Sequence, residues 1–146
     1  YEQPLAVRAA VGQPLALDES LVTLGDALRL VADRACEVVG LKVGRVGGLT
    51  PARRIRDVCL EAGIRMNVED TGGTRLSASA AVHLAQTVPE PFRRATWLCF
   101  DHLTVDPVVG GAVNDGGWSA APSGVGIGAE PDEQALGEPL ATFEEV

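Results

Sequence analysis

Aromatic residues are scarce in this chain. Phe, Trp and Tyr make up 4% of its 146 residues, so any core must be filled by Ala, Val and Leu. The length is that of one domain and is enough to bury a real core. Only three cysteines occur, Cys36, Cys59 and Cys99, an odd number at wide spacing that fits neither a zinc site nor a disulfide framework. They read as small buried apolar residues in a reducing cytoplasm. Basic residues are outnumbered, 12 against 20 acidic, and the net charge of −8 argues against nucleic acid or an anionic membrane as partner. There is no apolar run of membrane-spanning length and no basic-then-apolar leader. Nor does the chain open on Met. It begins "YEQP", which reads as a fold joined part-way, with Glu2 closing a strand whose predecessors are absent.

What is present is a repeated unit, a short apolar run followed by an amphipathic stretch. "QPLALD" (residues 13–18) reads as a buried strand closed by Asp18 and Glu19. Thr23 stands three before Asp26, a variant of the capping box, and Leu24, Ala27, Leu28 and Val31 follow at helical spacing. "EVVGLKV" (37–43) is the next strand. A glycine turn, Thr50 as N-cap, Pro51 at the first helical position and Gly63 as stop frame the next helix. Its inward face would be Ile55, Val58, Cys59 and Ala62, with Arg53, Arg54 and Arg56 toward water. "IRMNVED" (64–70), a helix near 75–87 and "ATWLCFD" (95–101) complete the series. Strands alternating with helices imply parallel pairing through right-handed crossovers, an α/β fold as open sheet or barrel. From Pro107 the texture changes to a Gly- and Pro-rich tail (107–146) with room for a short hairpin. Its "GVGIG" resembles a phosphate loop only superficially, because Pro131 follows where a helix should start.

The charges fall at strand ends. In a parallel barrel the chemistry gathers at the carboxyl ends of the strands, facing one mouth. Glu2 closes the first strand reading, Asp18 and Glu19 the second, Lys42 lies late in the third, Glu69 and Asp70 close the fourth, and Asp101 the fifth. Asp18, Glu19 and Asp70 have a plainer reading as helix-start acids favoured by the dipole, and Lys42 as a solvated lysine on a sheet edge. A buried parallel strand, however, has no cheap place for the Lys42 ammonium, unless the carboxylates or a metal share its surroundings. His83 falls with Leu76, Ala80 and Leu84 on one helix face and reads as a hydrogen-bonded core histidine. His102 reads as a loop residue.

At "YEQP", "LALDES", "GLKVGRVGGLTPARRIRDVCLEAGI" and "HLAQTVP" the chain resembles the enolase superfamily, in its mandelate racemase and muconate lactonizing enzyme branch. The tail "PSGVGIGAEPDEQAL" is similar to that branch's closing segment. The resemblance implies the carboxy-terminal half, about strands 4 to 8, of a modified (β/α)7β barrel of TIM type, spanning residues 1–106 and completed by the tail. It implies Mg2+ at the mouth, with Glu2 and Asp18 as two of three carboxylate ligands and Lys42 as the acid/base lysine. Mg2+ takes hard oxygens and leaves positions for a substrate carboxylate, and burial beside the cation would lower the pKa of Lys42 so that it accepts an α-proton. The implied chemistry is dehydration or epimerisation of a small carboxylate or amino acid.

"NVEDTGG" followed by "AAVHLAQTVP" is most similar to the cis-3-hydroxy-L-proline dehydratase and proline-derivative epimerase members, although the aromatic residue usual inside "EDT-GG" is not there. Asp70 and Thr71 become candidate substrate contacts, and Asp101, with Cys99, lies at the eighth-strand position where the family varies its chemistry. The family's capping domain, barrel strands 1–3, second-strand lysines and first metal carboxylate have no counterpart here. The 146 residues alone are therefore expected to show no turnover. The alternative is a non-catalytic or decayed barrel piece that needs a partner chain. Relatives often assemble through barrel helices, so a homo-oligomer is compatible.

Overall fold

The computed structural model describes residues 2–143. Four parallel strands stand in sequence order, β1 (Ala16–Leu17), β2 (Val38–Lys42), β3 (Arg65–Glu69) and β4 (Arg93–Trp97). Helices α2 (Leu24–Ala32), α3 (Leu49–Glu61) and α4 (Arg75–Gln86) make the crossovers, and α1 (Glu2–Ala10) precedes β1. This is the α/β arrangement expected from the alternating pattern, a run of βα units as in a TIM-type barrel. The parallel sheet has four strands among the described residues where five were expected. Glu2 does not close a strand. It opens α1, where an acid in the first turn suits the dipole and Pro4 is tolerated because first-turn N–H groups lack helical partners. Arg8 ties α1 to the sheet through Glu37, with Nη2 to Oε1 at 2.5 Å, and Glu37 also accepts from the Leu15 N–H at 2.8 Å.

Local chemistry explains the helix limits. Thr23 Oγ1 accepts from the Asp26 N–H at 3.2 Å and Asp26 Oδ2 accepts from the Thr23 N–H at 2.8 Å, the reciprocal box the sequence suggested. The buried face of α2 is Ala27 and Leu30, and Leu28 is exposed, not inward. One residue step turns a helix by about 100°, so Leu28 lies on the flank of the face centred on Ala27. Helix α3 begins at Leu49, with Gly48 as N-cap, so Thr50 sits inside the first turn and does not cap. Gly47 and Gly48 have φ of 90° and 112°, and that glycine backbone takes the place of a side-chain cap. Gly63, at φ 73°, ends the helix as expected.

The sheet has two unlike faces. Val39, Leu41, Val43, Met66 and Val68 point to the helices and form one core with Leu21, Leu30, Ile55 and Cys59. Burial pushes the Cys36 thiol up to about 11 and the Cys59 thiol to about 12, in keeping with packing roles. Ile55→Ala is expected to cost about 2–5 kcal/mol of stability, read by urea unfolding, and a loss under about 1 kcal/mol would contradict this packing. The alternate residues Gly40, Lys42, Asn67 and Glu69 lie on the other face.

The tail makes the two-stranded antiparallel pair β5 (Val108–Gly110) and β6 (Ala129–Pro131), then the short helix α5 (Glu133–Leu136). It docks on α4. Arg75 donates to Asp106 Oδ2 at 2.9 Å and to the Val108 carbonyl at 2.6 Å, and Ser79 Oγ accepts from the Ala112 N–H at 2.9 Å. His83 Nε2 meets the Ile127 carbonyl at 3.2 Å, which makes it the hydrogen-bonded histidine expected from its helix face.

Candidate active site

Lys42, the single lysine of the chain, ends β2 with its side chain 16% exposed. Its Nζ is hydrogen-bonded to Asp18 Oδ2 and lies 3.6 Å from Glu69 Oε2 and 3.6 Å from Glu19 Oε1. The pairing of the strands explains the gathering. Lys42 is directly opposite Glu69 in the β2–β3 register, and Asp18 follows Leu17 at the end of the neighbouring β1. Gly40 makes room for them. A Cβ there would stand 2.8 Å from Asp18 Oδ1 and 3.1 Å from Glu69 Oε1, so the two carboxylates fold over a position that must lack a side chain. Arg45, in the turn after β2, completes the cluster with Nη1 at 2.5 Å from Asp18 Oδ1 and Nη2 at 3.2 Å from Glu19 Oε1.

The electrostatics follow from these contacts. Burial pushes Asp18 up, but the bonds from Lys42 and Arg45 outweigh it and hold the carboxyl below the usual range. Burial and the nearby Asp18 charge push Glu69 up, only partly offset by Lys42. The bond to Asp18 raises the pKa of Lys42. The lowering expected for Lys42 is that of a lysine beside a cation, and Asp18 by itself acts in the opposite direction. A directly bonded carboxylate favours the ammonium more than partial burial disfavours it.

The other expected residues are placed as follows. Asp70 is buried, with Oδ1 accepting from the Gly72 N–H at 3.1 Å and Oδ2 from the Cys99 N–H at 2.9 Å. It braces the ends of β3 and β4 against each other and is neither open to substrate nor the cap of α4, which is Thr74. Thr71 is exposed, and its Oγ1 comes within 3.0 Å of where a Gly44 Cβ would be, at the edge of the cluster. Asp101 leaves the strand end. Strand β4 stops at Trp97, and Asp101 lies in a 3-10 turn (Phe100–His102), exposed and accepting from Asn114 Nδ2 at 2.6 Å. No contact joins Glu2 to this cluster among the described residues. Arg45, Glu69 and Trp97 were not singled out as site residues by sequence. Trp97 is opposite Glu69 in register and 61% exposed. A cavity of about 540 Å3 lies elsewhere, between α4, β4 and the 114–119 loop. Its lining includes Arg93, Arg94 and Trp118 but no carboxylate or lysine, so it holds no acid/base pair.

The enolase C-terminal domain-like family model matches residues 2–135. The chain belongs to that family. Within it, the cis-3-hydroxy-L-proline dehydratase of Roseibium aggregatum is 33% identical over 143 residues, covering 98% of this chain and 39% of the relative. An N-succinylamino acid racemase from an Amycolatopsis species is 32% identical, covering 94% of this chain and 39% of its own length. A crystal structure of an enolase superfamily member from Roseovarius nubinhibens complexed with magnesium superposes with a TM-score of 0.92 at 46% identity, over 99% of this chain and 40% of that one. The chain thus spans about 39% of the length of these two curated relatives, one a dehydratase and one a racemase.

For an enolase-type domain the pertinent question is whether the residues suit Mg2+. Asp18 does by chemistry, since its carboxylate offers hard oxygens at the end of β1. Among the described residues no three His, Cys, Asp or Glu side chains stand together closely enough to hold a metal.

Titration of the two carboxylates has opposite effects on stability. Glu69, with its pKa raised, stabilises the fold fully below the ordinary carboxylate range, about 4, and loses that contribution as pH rises through its folded value. Asp18, held low, contributes above that range and fails as pH falls through its own folded value. Glu69→Gln is therefore expected to raise the melting temperature at neutral pH and to leave it unchanged in acid. A lower melting temperature at neutral pH would contradict the burial cost assigned to Glu69.

Proposed function

We propose that this chain is the carboxy-terminal portion of a Mg2+-dependent enzyme that removes the α-proton of a small carboxylate or amino-acid substrate, as a dehydratase or an epimerase. The observation that carries the reading is the meeting of Lys42 and Asp18 at the carboxyl ends of adjacent parallel strands, the end at which barrel enzymes do their chemistry. The relatives named for a dehydratase and a racemase support it, and a hydroxyproline-like substrate follows from the first of them.

Asp18 would hold the cation, with Glu2 as the second ligand that the family resemblance suggests. When bound, the cation supplies Lewis-acid stabilisation of the negative charge that develops on the substrate carboxylate as the α-proton leaves. The remaining steps belong to the chain's own residues. Lys42 Nζ moves the proton. In the ammonium form that Asp18 favours here, it is the proton donor. As the free amine it is the acceptor. Arg45 keeps Asp18 in place through its other oxygen. Thr71, exposed beside the Gly44 turn, would contact the substrate.

The test is solvent exchange. The intact enzyme carrying these residues, given Mg2+ in deuterated water, is expected to exchange the α-proton of a hydroxyproline, an N-acylamino acid or a related carboxylate, and chelation of the metal is expected to stop it. Exchange from none of these substrates, or exchange untouched by chelation, would overturn the reading. The 146-residue chain by itself is expected to give no turnover, and a purified monomer that turned over would contradict the shared coordination sphere.

A further inference from the structure

Three carboxylates surround the Lys42 ammonium, and they are not equivalent. Asp18 is directly bonded but also carries Arg45 on its other oxygen. Glu19 has its side chain 78% exposed, as a solvated surface acid does. Glu69 is 15% exposed, the most enclosed of the three, with Oε2 3.6 Å from Nζ. Its position is fixed by backbone. Lys42 and Glu69 are register partners in the β2–β3 ladder, so their side chains leave the sheet on the same face, side by side. Its carboxylate lies over Gly40, where a Cβ would come within 3.1 Å of Oε1.

This enclosed carboxylate is an unfavourable feature for stability, since burial disfavours its charge. A sequence built for stability alone would put a neutral residue there. Such a cost at a strand end beside an acid/base group is the pattern expected where stability yields to function.

Resting on the function proposed above, we infer that Glu69 is a positioning residue for Lys42, the acceptor that holds Nζ at the end of β2 when Asp18 is engaged by a cation. A cation on Asp18 would compete with Lys42 for its oxygens, since Oδ1 already accepts from Arg45. Among the described residues, the other carboxylates at 3.6 Å from Nζ are Glu19 and Glu69. Glu19 hangs in solvent, where a single ion pair is worth little. Glu69 is enclosed and anchored by the ladder, so it can fix the direction in which Nζ points. A misplacement of about 1 Å in such a group costs about a hundredfold in rate.

Two measurements test this. In the intact enzyme, Glu69→Gln is expected to lower kcat for α-proton exchange by at least about tenfold with KM changed by less than about twofold, and Glu69→Asp to recover part of the loss. A kcat within about twofold of the parent, or a loss confined to KM, would overturn the proposal. The second readout needs no activity. Lys42 is the only lysine, so its acetylation by a small acylating reagent can be followed by mass spectrometry in the 146-residue chain itself. With Asp18→Asn in place to free the lysine from its first partner, adding Glu69→Gln is expected to speed acetylation several-fold. An unchanged rate would overturn the proposal, with circular dichroism confirming that both variants are folded. If the parent enzyme exchanges no α-proton, the proposed function fails, and the acetylation rates still decide whether Glu69 holds Lys42.

Discussion

Gly40→Ala is expected to cost the intact enzyme about a hundredfold in kcat while leaving its fold in place. Position 40 lies mid-strand in β2, where alanine meets no backbone obstacle. What it meets is the site. The new methyl carbon would stand 2.8 Å from Asp18 Oδ1, 3.0 Å from its Cγ and 3.1 Å from Glu69 Oε1. Both carboxylates sit at the ends of side chains, so they move before the strand does. Asp18 is also bonded to Lys42 and Arg45, and displacing it moves the acid/base group with it. The stability cost should stay within the range of mild overpacking, about 1–3 kcal/mol. Steady-state kinetics beside urea unfolding would check this. A variant that keeps parent kcat would show that the carboxylates over Gly40 need not be where they are.

Local signals in the sequence were legible where local chemistry decides the structure. The box between Thr23 and Asp26 needs only residues three apart, and it forms as the spacing suggests. Gly63 stops α3 because a left-handed position favours glycine, and the Val-rich run of β2 leaves little besides a strand. His83 could be assigned from helix periodicity alone. Misreadings came where two local signals compete. Thr50 and Pro51 both look like the start of α3, yet the glycine pair before them brings the chain into helical conformation two residues earlier.

The site was legible in its residues and not in their mutual contacts. Asp18 and Lys42 are 24 positions apart, and Arg45 is 27 from Asp18, so only the pairing of β1 with β2 brings them together. Their closeness raises the pKa of Lys42, because a bonded partner outweighs partial burial. Glu69 was visible as a strand-end acid, but its place beside Lys42 depends on register, which spacing does not encode. Asp101 was misplaced for a similar reason. Strand β4 is an edge strand that tolerates Arg93 and Arg94, starts earlier than the apolar run suggests and ends at Trp97. The chain then turns before Asp101 can stand at a strand end.

The central claim is that Lys42 Nζ moves the α-proton, and its most direct test is the solvent exchange rate of two variants of the intact enzyme. Lys42→Ala removes the amine. Lys42→Arg keeps a cation that can bond Asp18 but holds its proton at any working pH. Both are expected to lower α-proton exchange in deuterated water by roughly 10²–10⁴-fold or more, while the arginine variant retains the parent's melting temperature more closely than the alanine variant. Exchange at the parent rate in either folded variant would remove Lys42 from the chemistry and contradict the account.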